Sequence, residues 1–277
     1  MLNIIKSYAK INLFLYVVNK LDTGFHELNS VLSRIDLFDE IRIKDDSSFS
    51  ISYNGPYGDQ VGSDDNVTKL FNYLIDKNYL KQKSFAIHVV KNIPVGSGLG
   101  GGSSNGAEII KYLIRADLLD NLISTEIARD LGSDIEFFIG EGSALISGKG
   151  NVDRRLKINS DKHFLIVFPN IQNSTKEIFN KHSNLSGEKF SYNNDINLDE
   201  ILKGTSNELE KTALVANQEM TKVREYLDND INCKYERMTG SGSAYFAVYE
   251  DKQKAEEAIQ RISEEHTNWW TYLTRLI

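Results

Sequence analysis

PVGSGLGGGSSNG, residues 94–106, is the stretch that decides the fold of this chain. It follows the alternating segment FAIHVV at residues 85–90, which is typical of a β-strand. It precedes a helical pattern with Ile110, Leu113 and Ile114 on one side. Glycines let the backbone turn without a Cβ, and they let its N–H groups approach an anion closely. A strand, a glycine-rich loop and a helix N-terminus in this order predict a phosphate-binding loop.

The residues alone are compatible with more than one type of phosphate loop. Residues 96–101 satisfy G-x-G-x-x-G, the pattern of dinucleotide-binding folds, but that pattern is a weak signal by itself. Strand-like segments precede the loop, whereas the dinucleotide fingerprint normally lies in the first βαβ unit. No G-x-x-x-x-G-K-[ST] sequence occurs, which excludes a Walker-type P-loop. A kinase, a dinucleotide-binding oxidoreductase, a catalytically inactive nucleotide-binding regulator and a merely flexible surface loop remain open.

Composition limits the class of protein. The chain has 277 residues with 40% hydrophobic and 26% charged residues, which is typical of a globular protein of about two domains. Its net charge of −7 argues against broad nucleic-acid binding. No apolar run is long enough for a membrane span, and the single cysteine, Cys233, excludes an internal disulfide. We expect a cytoplasmic protein without nucleic-acid or membrane partners, either a monomer or a homodimer.

Strand-like and helical segments occur in both halves, which predicts an α+β protein. The first strand-like stretch, residues 3–18, looks like two strands broken near Ala9-Lys10. The apolar run FLIVF at residues 164–168 opens the second half as a buried strand. We therefore expect one domain over residues 1–155 and a second over residues 156–277.

Three motifs in order along the chain resemble those of the GHMP kinases. They are AKINL at residues 9–13, the glycine loop, and RMTGSGSAYF at residues 237–246. The resemblance implies a ribosomal-protein-like N-terminal domain that carries the ATP loop and a ferredoxin-like C-terminal domain. GFHEL at residues 24–28 and LGSDI at residues 131–135 resemble the family members that phosphorylate a small alcohol linked to cytidine diphosphate. Homoserine and mevalonate are the alternative alcohols within the same family.

This resemblance also implies the cofactors, ATP and Mg²⁺. The residues expected to bind ATP are those of the glycine loop and one asparagine: Pro94, Val95, Gly96, Ser97, Gly98, Leu99, Gly100, Gly101, Gly102, Ser103, Ser104 and Asn66. The hydroxyl of Ser104 is also the candidate protein contact for Mg²⁺, which would arrive mainly with the ATP phosphates.

The family pattern places two catalytic residues, Lys10 and Asp134. From the sequence alone, Asp134 equally fits an N-cap after the helix-stopping Gly132. The resemblance implies instead that Asp134 is the base that accepts the proton of the attacking hydroxyl. Lys10 would lie beside it and stabilise negative charge on that oxygen. Asn12 lies two residues further along the strand, on the same face, and is expected to bind substrate.

Four residues are expected to recognise the cytidine substrate through the resemblance. They are Phe25, His26, Thr175 and Phe179. An aromatic ring can stack on a cytosine, and a histidine can form hydrogen bonds with its polar edge. Phe25 replaces the tyrosine that is usual in the family. Phe179 equally fits a residue of the hydrophobic core, and both interpretations remain open at this point.

Overall fold

The computed structural model describes residues 4–80, 84–187, 189–190 and 197–277. Within them, the strands are β1 (Ile5–Lys20), β2 (His26–Asp45), β3 (Ser50–Asn54), β4 (Phe85–Val90), β5 (Ser143–Gly148), β6 (Asn151–Leu156), β7 (His163–Phe168), β8 (Tyr235–Met238), β9 (Tyr245–Tyr249) and β10 (Trp270–Thr274). The helices are α1 (Asn66–Asp76), α2 (Gly101–Arg115), α3 (Ser124–Leu131), α4 (Ser133–Ile139), α5 (Thr175–Lys181), α6 (Leu198–Gly204), α7 (Glu210–Ala216), α8 (Glu219–Asp228) and α9 (Lys252–Glu265). This mixture of strands and helices confirms the predicted α+β class.

The chain divides into two compact units, each built from separate segments of the sequence. The first unit comprises Met1–Ala9, Leu37–Val95 and Gly100–Glu141. The second comprises Lys10–Asp36, Gly96–Leu99 and Gly142–Ile277. The long strands β1 and β2 each contribute residues to both units. The domain boundary expected after residue 155 stays a prediction.

The first unit is organised around β4. This strand pairs antiparallel with residues 40–45 of β2 and parallel with β3. Alternate residues of β4 are buried, as its sequence pattern predicts. Asp65 starts the neighbouring helix α1, because its carboxylate accepts the backbone N–H groups of Val67 and Thr68 at 2.8 and 3.0 Å. Helix α2 packs against α1 and α4, so the glycine loop is followed by a helix with a buried apolar side.

The second unit contains an antiparallel sheet with the strand order β10-β7-β9-β8. Helices α8 and α9 pack on this sheet, and their side chains Val223 and Ile262 form a buried apolar core with Leu165 of β7. In the same unit, residues 28–32 of β2 pair antiparallel with β5, and β5 pairs antiparallel with β6. The predicted buried strand near residues 164–168 is confirmed as β7.

Some details of the predicted elements are wrong. Strand β1 is continuous through Ala9 and Lys10, and both residues are buried in it, so a lysine does not mark a strand end here. Helix α2 starts at Gly101 rather than near Ser103, the start that the sequence suggests, because Gly100 in a left-handed conformation already turns the chain into the helix. The hairpin of β5 and β6 was not anticipated from the sequence.

Among the described residues, no helix is both long and apolar enough to cross a bilayer.

A buried guanidinium connects three elements of the second unit. Arg237 on β8 donates to the carbonyl oxygens of Leu13, Leu202 and Thr205 and to the Thr205 hydroxyl. The bonds to the Leu202 and Thr205 oxygens are 2.6–2.9 Å long. Burial lowers the pKa of Arg237 to about 10, which leaves the side chain charged at neutral pH. Because its donors form a planar fork, one side chain joins β8, β1 and the end of α6.

We predict that Arg237→Lys lowers the free energy of unfolding by about 3 kcal/mol, because one ammonium cannot satisfy these carbonyl oxygens. Urea denaturation measures this change. Arg224→Lys is the matched control, since the Arg224 side chain is 49% exposed and lies 3.9 Å from Glu210; we expect it to cost less than about 0.5 kcal/mol. Equal losses in both variants would contradict the connecting role of Arg237.

Candidate active site

The glycine loop has an alternating backbone conformation. Gly96, Gly98 and Gly100 have φ angles of +67°, +83° and +74°, the left-handed region that favours glycine. Gly100 is the N-cap of α2, and no side chain caps this helix, in contrast to α1 with its capping Asp65. The first N–H groups of α2 therefore have no side-chain acceptor at the N-cap. This arrangement suits an anionic ligand at the helix N-terminus.

In the second unit, the loop packs against the turn of the third motif, backbone against backbone. A Cβ added to Gly98 would lie 2.2 Å from the carbonyl oxygen of Thr239. The N–H of Ala244 donates to the Ser97 carbonyl at 3.0 Å, and the N–H of Asn173 donates to the Gly96 carbonyl at 3.1 Å. Thus two glycine-rich segments far apart in sequence fix each other's conformation.

In the first unit, the loop continues into α2 beside α1. The Asn66 side-chain amide lies 3.5 Å from the Ser103 hydroxyl, and a Cβ added to Gly102 would lie 3.1 Å from the same amide nitrogen. Ser104 is 1% exposed, and its hydroxyl accepts a hydrogen bond from Ser7 at 2.8 Å. The structure therefore brings Asn66 to the start of α2, although Ser103 is 37 positions away from it in the sequence.

The predicted loop residues differ in what they can offer a ligand. The side chains of Pro94, Ser97 and Leu99 are buried, whereas Gly96 and Gly102 are exposed and Val95 is half-buried. The Leu99 carbonyl accepts the backbone N–H of Lys10 at 2.9 Å, so this part of the loop is joined to β1. Most of the loop therefore offers a ligand backbone groups rather than side chains.

Lys10 lies on β1 in the second unit and is 4% exposed. Its ammonium donates to the side-chain oxygen of Asn12 at 2.6 Å and lies 3.3 Å from the position of a Cβ added to Gly240. The Asn12 amide donates in turn to the Ser30 hydroxyl at 2.9 Å, and the Asn12 N–H donates to the Thr239 hydroxyl at 2.9 Å. Asn12 therefore orients Lys10, a role that the sequence did not suggest.

Asp134 lies in the first unit, in the first turn of α4, and is half-buried. The N-cap of this helix is Gly132, so Asp134 is not the capping residue that the sequence allowed as an alternative. Glu136 also lies in this first turn. Carboxylates are favourable at a helix N-terminus because the helix dipole is positive there. The pairing of Asp134 with Lys10 stays a prediction, since the two belong to different units.

Two of the four residues that are expected to recognise cytidine contact each other in the second unit. The rings of His26 and Phe179 have centroids 5.4 Å apart and an interplanar angle of 34°. Burial, together with the charges of Lys20 and His182, lowers the pKa of His26 below its usual value, so its ring is neutral at pH 7.

The aromatic ring before His26 is open to solvent. Phe25 is 61% exposed, and the ammonium of Lys149 lies 5.0 Å from its ring centroid. Phe179 is half-buried and also packs against the core of the second unit, so the two interpretations from the sequence are compatible. An exposed phenylalanine beside a neutral histidine suits recognition of a flat, polar heterocycle.

Thr175 starts α5, and its hydroxyl lies 2.8 Å from that of Ser241. The side-chain amide of Asn173 donates to the Ser241 carbonyl at 3.0 Å. Residues 173–175 therefore contact both the third-motif turn and, through Asn173, the glycine loop. Sequence reasoning missed Asn173, Thr239 and Ser241 as site residues, although TGSGS at residues 239–243 was the signal that marked two of them.

The donors around the loop also limit the choice of metal. In the described part of the chain, no group of three or more His, Cys, Asp or Glu side chains could hold a metal ion. The side chains beside the loop offer hydroxyl oxygens at Ser103 and Ser104. Such a set suits Mg²⁺, which keeps phosphate and water ligands and needs few from the protein.

We predict that Gly98→Ala lowers the free energy of unfolding by about 3 kcal/mol, through backbone strain and overlap with the Thr239 carbonyl. Gly24→Ala is the matched control, because Gly24 has a nearly equal φ of +82° and no atom within 4 Å of the added Cβ. We expect the control to lose only about 1 kcal/mol. Chemical denaturation of both variants measures the difference, and equal losses would contradict the close approach.

Two family models match the chain. The model for the GHMP kinases N terminal domain matches residues 65–147, which include the glycine loop, α2 and Asp134. The model described as GHMP kinases C terminal matches residues 192–268, which include the third motif. Together they cover more than half of the 277 residues.

Full-length relatives agree with these matches. The chain is 32% identical to 4-diphosphocytidyl-2-C-methyl-D-erythritol kinase of Pelagibacter ubique, over 99% of this chain and 98% of that protein. It is 33% identical to the protein of the same name from Prochlorococcus marinus strain MIT 9515, over 93% of this chain and 89% of that protein.

Solved structures share the fold. A crystal structure of 4-(cytidine 5'-diphospho)-2C-methyl-D-erythritol kinase superposes with a TM-score of 0.76 at 24% identity, covering 98% of this chain and 99% of that one. Mevalonate kinase of Methanococcus jannaschii superposes with a TM-score of 0.63 at 18% identity, covering 100% and 99%. The three motifs, the two family models and the full-length relatives lead to one conclusion: the chain belongs to the GHMP kinases, a family of small-molecule kinases that use ATP.

Proposed function

We propose that this kinase transfers the γ-phosphoryl group of ATP to the 2-hydroxyl of 4-diphosphocytidyl-2-C-methyl-D-erythritol, a step of the methylerythritol phosphate route to isoprenoids. The choice of substrate rests on the contact between His26 and Phe179. Both residues are expected to recognise cytidine, and they lie together although 153 positions separate them in the sequence. The full-length relatives are named as kinases of this same substrate. The single cysteine also favours a cytoplasmic location, where thiols stay reduced.

The glycine loop supports the nucleotide half of the reaction. We assign the ATP phosphates to the uncapped N-terminus of α2 and to the backbone N–H groups of residues 96–104. Asn66 is proposed to contact the nucleotide from the start of α1. Mg²⁺ is proposed to bind with the phosphates, with the Ser104 hydroxyl as its protein contact, and it neutralises phosphate charge when bound.

The proposed chemistry is an in-line displacement. The substrate 2-hydroxyl oxygen forms a bond to the γ-phosphorus, the bond from that phosphorus to the β,γ-bridging oxygen breaks, and ADP leaves with that electron pair. The carboxylate of Asp134 accepts the hydroxyl proton. The ammonium of Lys10, held by Asn12, stabilises the negative charge that develops on the attacking oxygen.

The cytidine end of the substrate is proposed to bind in the second unit. His26, neutral at pH 7, offers one donor and one acceptor to the polar edge of cytosine. Phe25 and Phe179 offer aromatic faces, and Thr175 offers a hydroxyl at the start of α5. These groups would distinguish a cytidine-linked alcohol from mevalonate or homoserine, which have no nucleobase.

We predict that Asp134→Asn lowers kcat by at least about 100-fold, because the amide cannot accept the hydroxyl proton. A coupled assay of ADP release with magnesium-ATP and the cytidine-linked substrate measures this. Glu136→Gln is the matched control, as it removes a carboxylate from the same first turn of α4, and we expect it to keep kcat within about threefold. Unchanged turnover in Asp134→Asn would contradict the assignment of the base.

We further predict that His26→Ala raises KM for the cytidine-linked substrate by about tenfold, the worth of roughly one lost hydrogen bond, while KM for ATP stays within about twofold. Phe25→Ala should have the same selective effect through lost stacking. His88→Ala is the control, since His88 lies on β4 in the first unit, where its Nδ1 is 2.9 Å from the Ser52 hydroxyl. Turnover of mevalonate or homoserine at the same rate, with no response to His26→Ala, would keep the kinase and reject the cytidine substrate.

A further inference from the structure

A buried ion pair in the first unit lies outside the proposed catalytic groups. Asp39 on β2 is 0% exposed, and Lys91, directly after β4, is 3% exposed. The Lys91 ammonium donates to one carboxylate oxygen of Asp39. Removing two charges from water is costly, so a buried pair needs good geometry and further hydrogen bonds to be tolerated.

The second oxygen of Asp39 supplies those further bonds. It accepts the backbone N–H of Asn92 at 2.8 Å and that of Ile93 at 2.9 Å. A single carboxylate thus fixes donors from three consecutive residues, 91–93. These residues immediately precede Pro94, where the glycine loop begins, so Asp39 holds the backbone directly before the loop.

The same pair also contacts the residue at which the chain leaves the loop. A Cβ added to Gly101, the first residue of α2, would lie 3.2 Å from the Lys91 ammonium and 3.0 Å from Cγ2 of Ile93. The start of α2 therefore rests directly on the side chains of residues 91 and 93. Asp39 holds that ammonium in place, close to the N-terminus at which phosphate is proposed to bind.

An apolar pair would fill this space without the cost of burying two charges. What the ion pair adds is direction: the carboxylate points at three donors, and the ammonium is placed against Gly101. If the carboxylate were lost, the Lys91 ammonium would be left without its buried partner, and two backbone N–H groups would face a neutral acceptor.

We propose that Asp39 is a positioning residue for magnesium-ATP, acting through Lys91, Asn92 and Ile93 on both ends of the glycine loop. The proposal rests on the nucleotide half of the proposed function. It assigns no contact between Asp39 and the nucleotide itself. The expected consequence is a selective loss of ATP affinity, because the alcohol substrate is proposed to bind elsewhere, in the second unit.

The test is Asp39→Asn, which keeps the shape of the side chain and removes its charge. We expect magnesium-ATP, titrated calorimetrically without the second substrate, to bind about tenfold more weakly. In steady-state assays, KM for ATP should rise by the same factor, with KM for the cytidine-linked substrate within about twofold. Asp230→Asn is the matched control, because Asp230 is a largely buried carboxylate paired with Arg261 in the second unit, and its ATP affinity should not change.

Since Asp39→Asn leaves a buried ammonium, the double variant Asp39→Asn/Lys91→Met, which removes both charges, is measured alongside it. Weaker ATP binding in this folded double variant supports the proposal. Wild-type ATP affinity in either variant, with only a lower melting temperature, would overturn it and leave a purely structural pair. A wild-type chain that binds no magnesium-ATP would overturn the proposed function, and the inference with it.

Discussion

The tightest constraint on the second unit is the approach of Gly98 to Thr239. At this point two backbones pass so closely that a single added carbon would lie 2.2 Å from a carbonyl oxygen. A Cβ added to Gly240 would in turn lie 3.2 Å from the Gly98 carbonyl oxygen, so the loop and the TGSGS turn each have a glycine at this approach. A Cβ added to Gly240 would also lie 3.3 Å from the Lys10 ammonium, so glycine at this position of the turn leaves room for the lysine. The hydrogen bond to Asn12 thus orients the proposed catalytic lysine, and Gly240 provides the space for it.

Most polar groups around this contact are used within the protein. Asn12 bonds to Lys10 and Ser30, Thr239 receives the Asn12 N–H, and Thr175 is within hydrogen-bond distance of Ser241. What this leaves for a ligand is the backbone of the loop and the uncapped start of α2. That division is appropriate for phosphoryl transfer, in which positioning and charge stabilisation contribute more than covalent chemistry. The first unit follows the same principle, with Asp39 fixing backbone donors on the approach to the loop.

The sequence predicted those elements in which a residue type or pattern has one main structural role. Glycine density marked the loop, alternation marked β4, and Gly132 marked the end of α3. Burial, however, depends on contacts distant in sequence. Lys10 was expected at a strand end because lysines are usually solvated, yet β1 continues through it. The partners Ser7 with Ser104, and Asp39 with Lys91, are 97 and 52 positions apart, and no local pattern indicates such pairs. Local patterns could therefore predict elements such as the loop and β4, but not the distant partners that hold them.

The proposed reaction transfers the γ-phosphoryl group of ATP to a hydroxyl of a cytidine-diphosphate-linked alcohol. Phosphorus NMR of a mixture of the enzyme, magnesium-ATP and that alcohol can follow this transfer, because it distinguishes the chemical form of each phosphorus. We predict one new phosphate-monoester signal that grows in step with ADP, while the diphosphate signals of the cytidine-linked alcohol persist. Growth of inorganic phosphate alone, or no monoester despite consumption of ATP, would contradict the account.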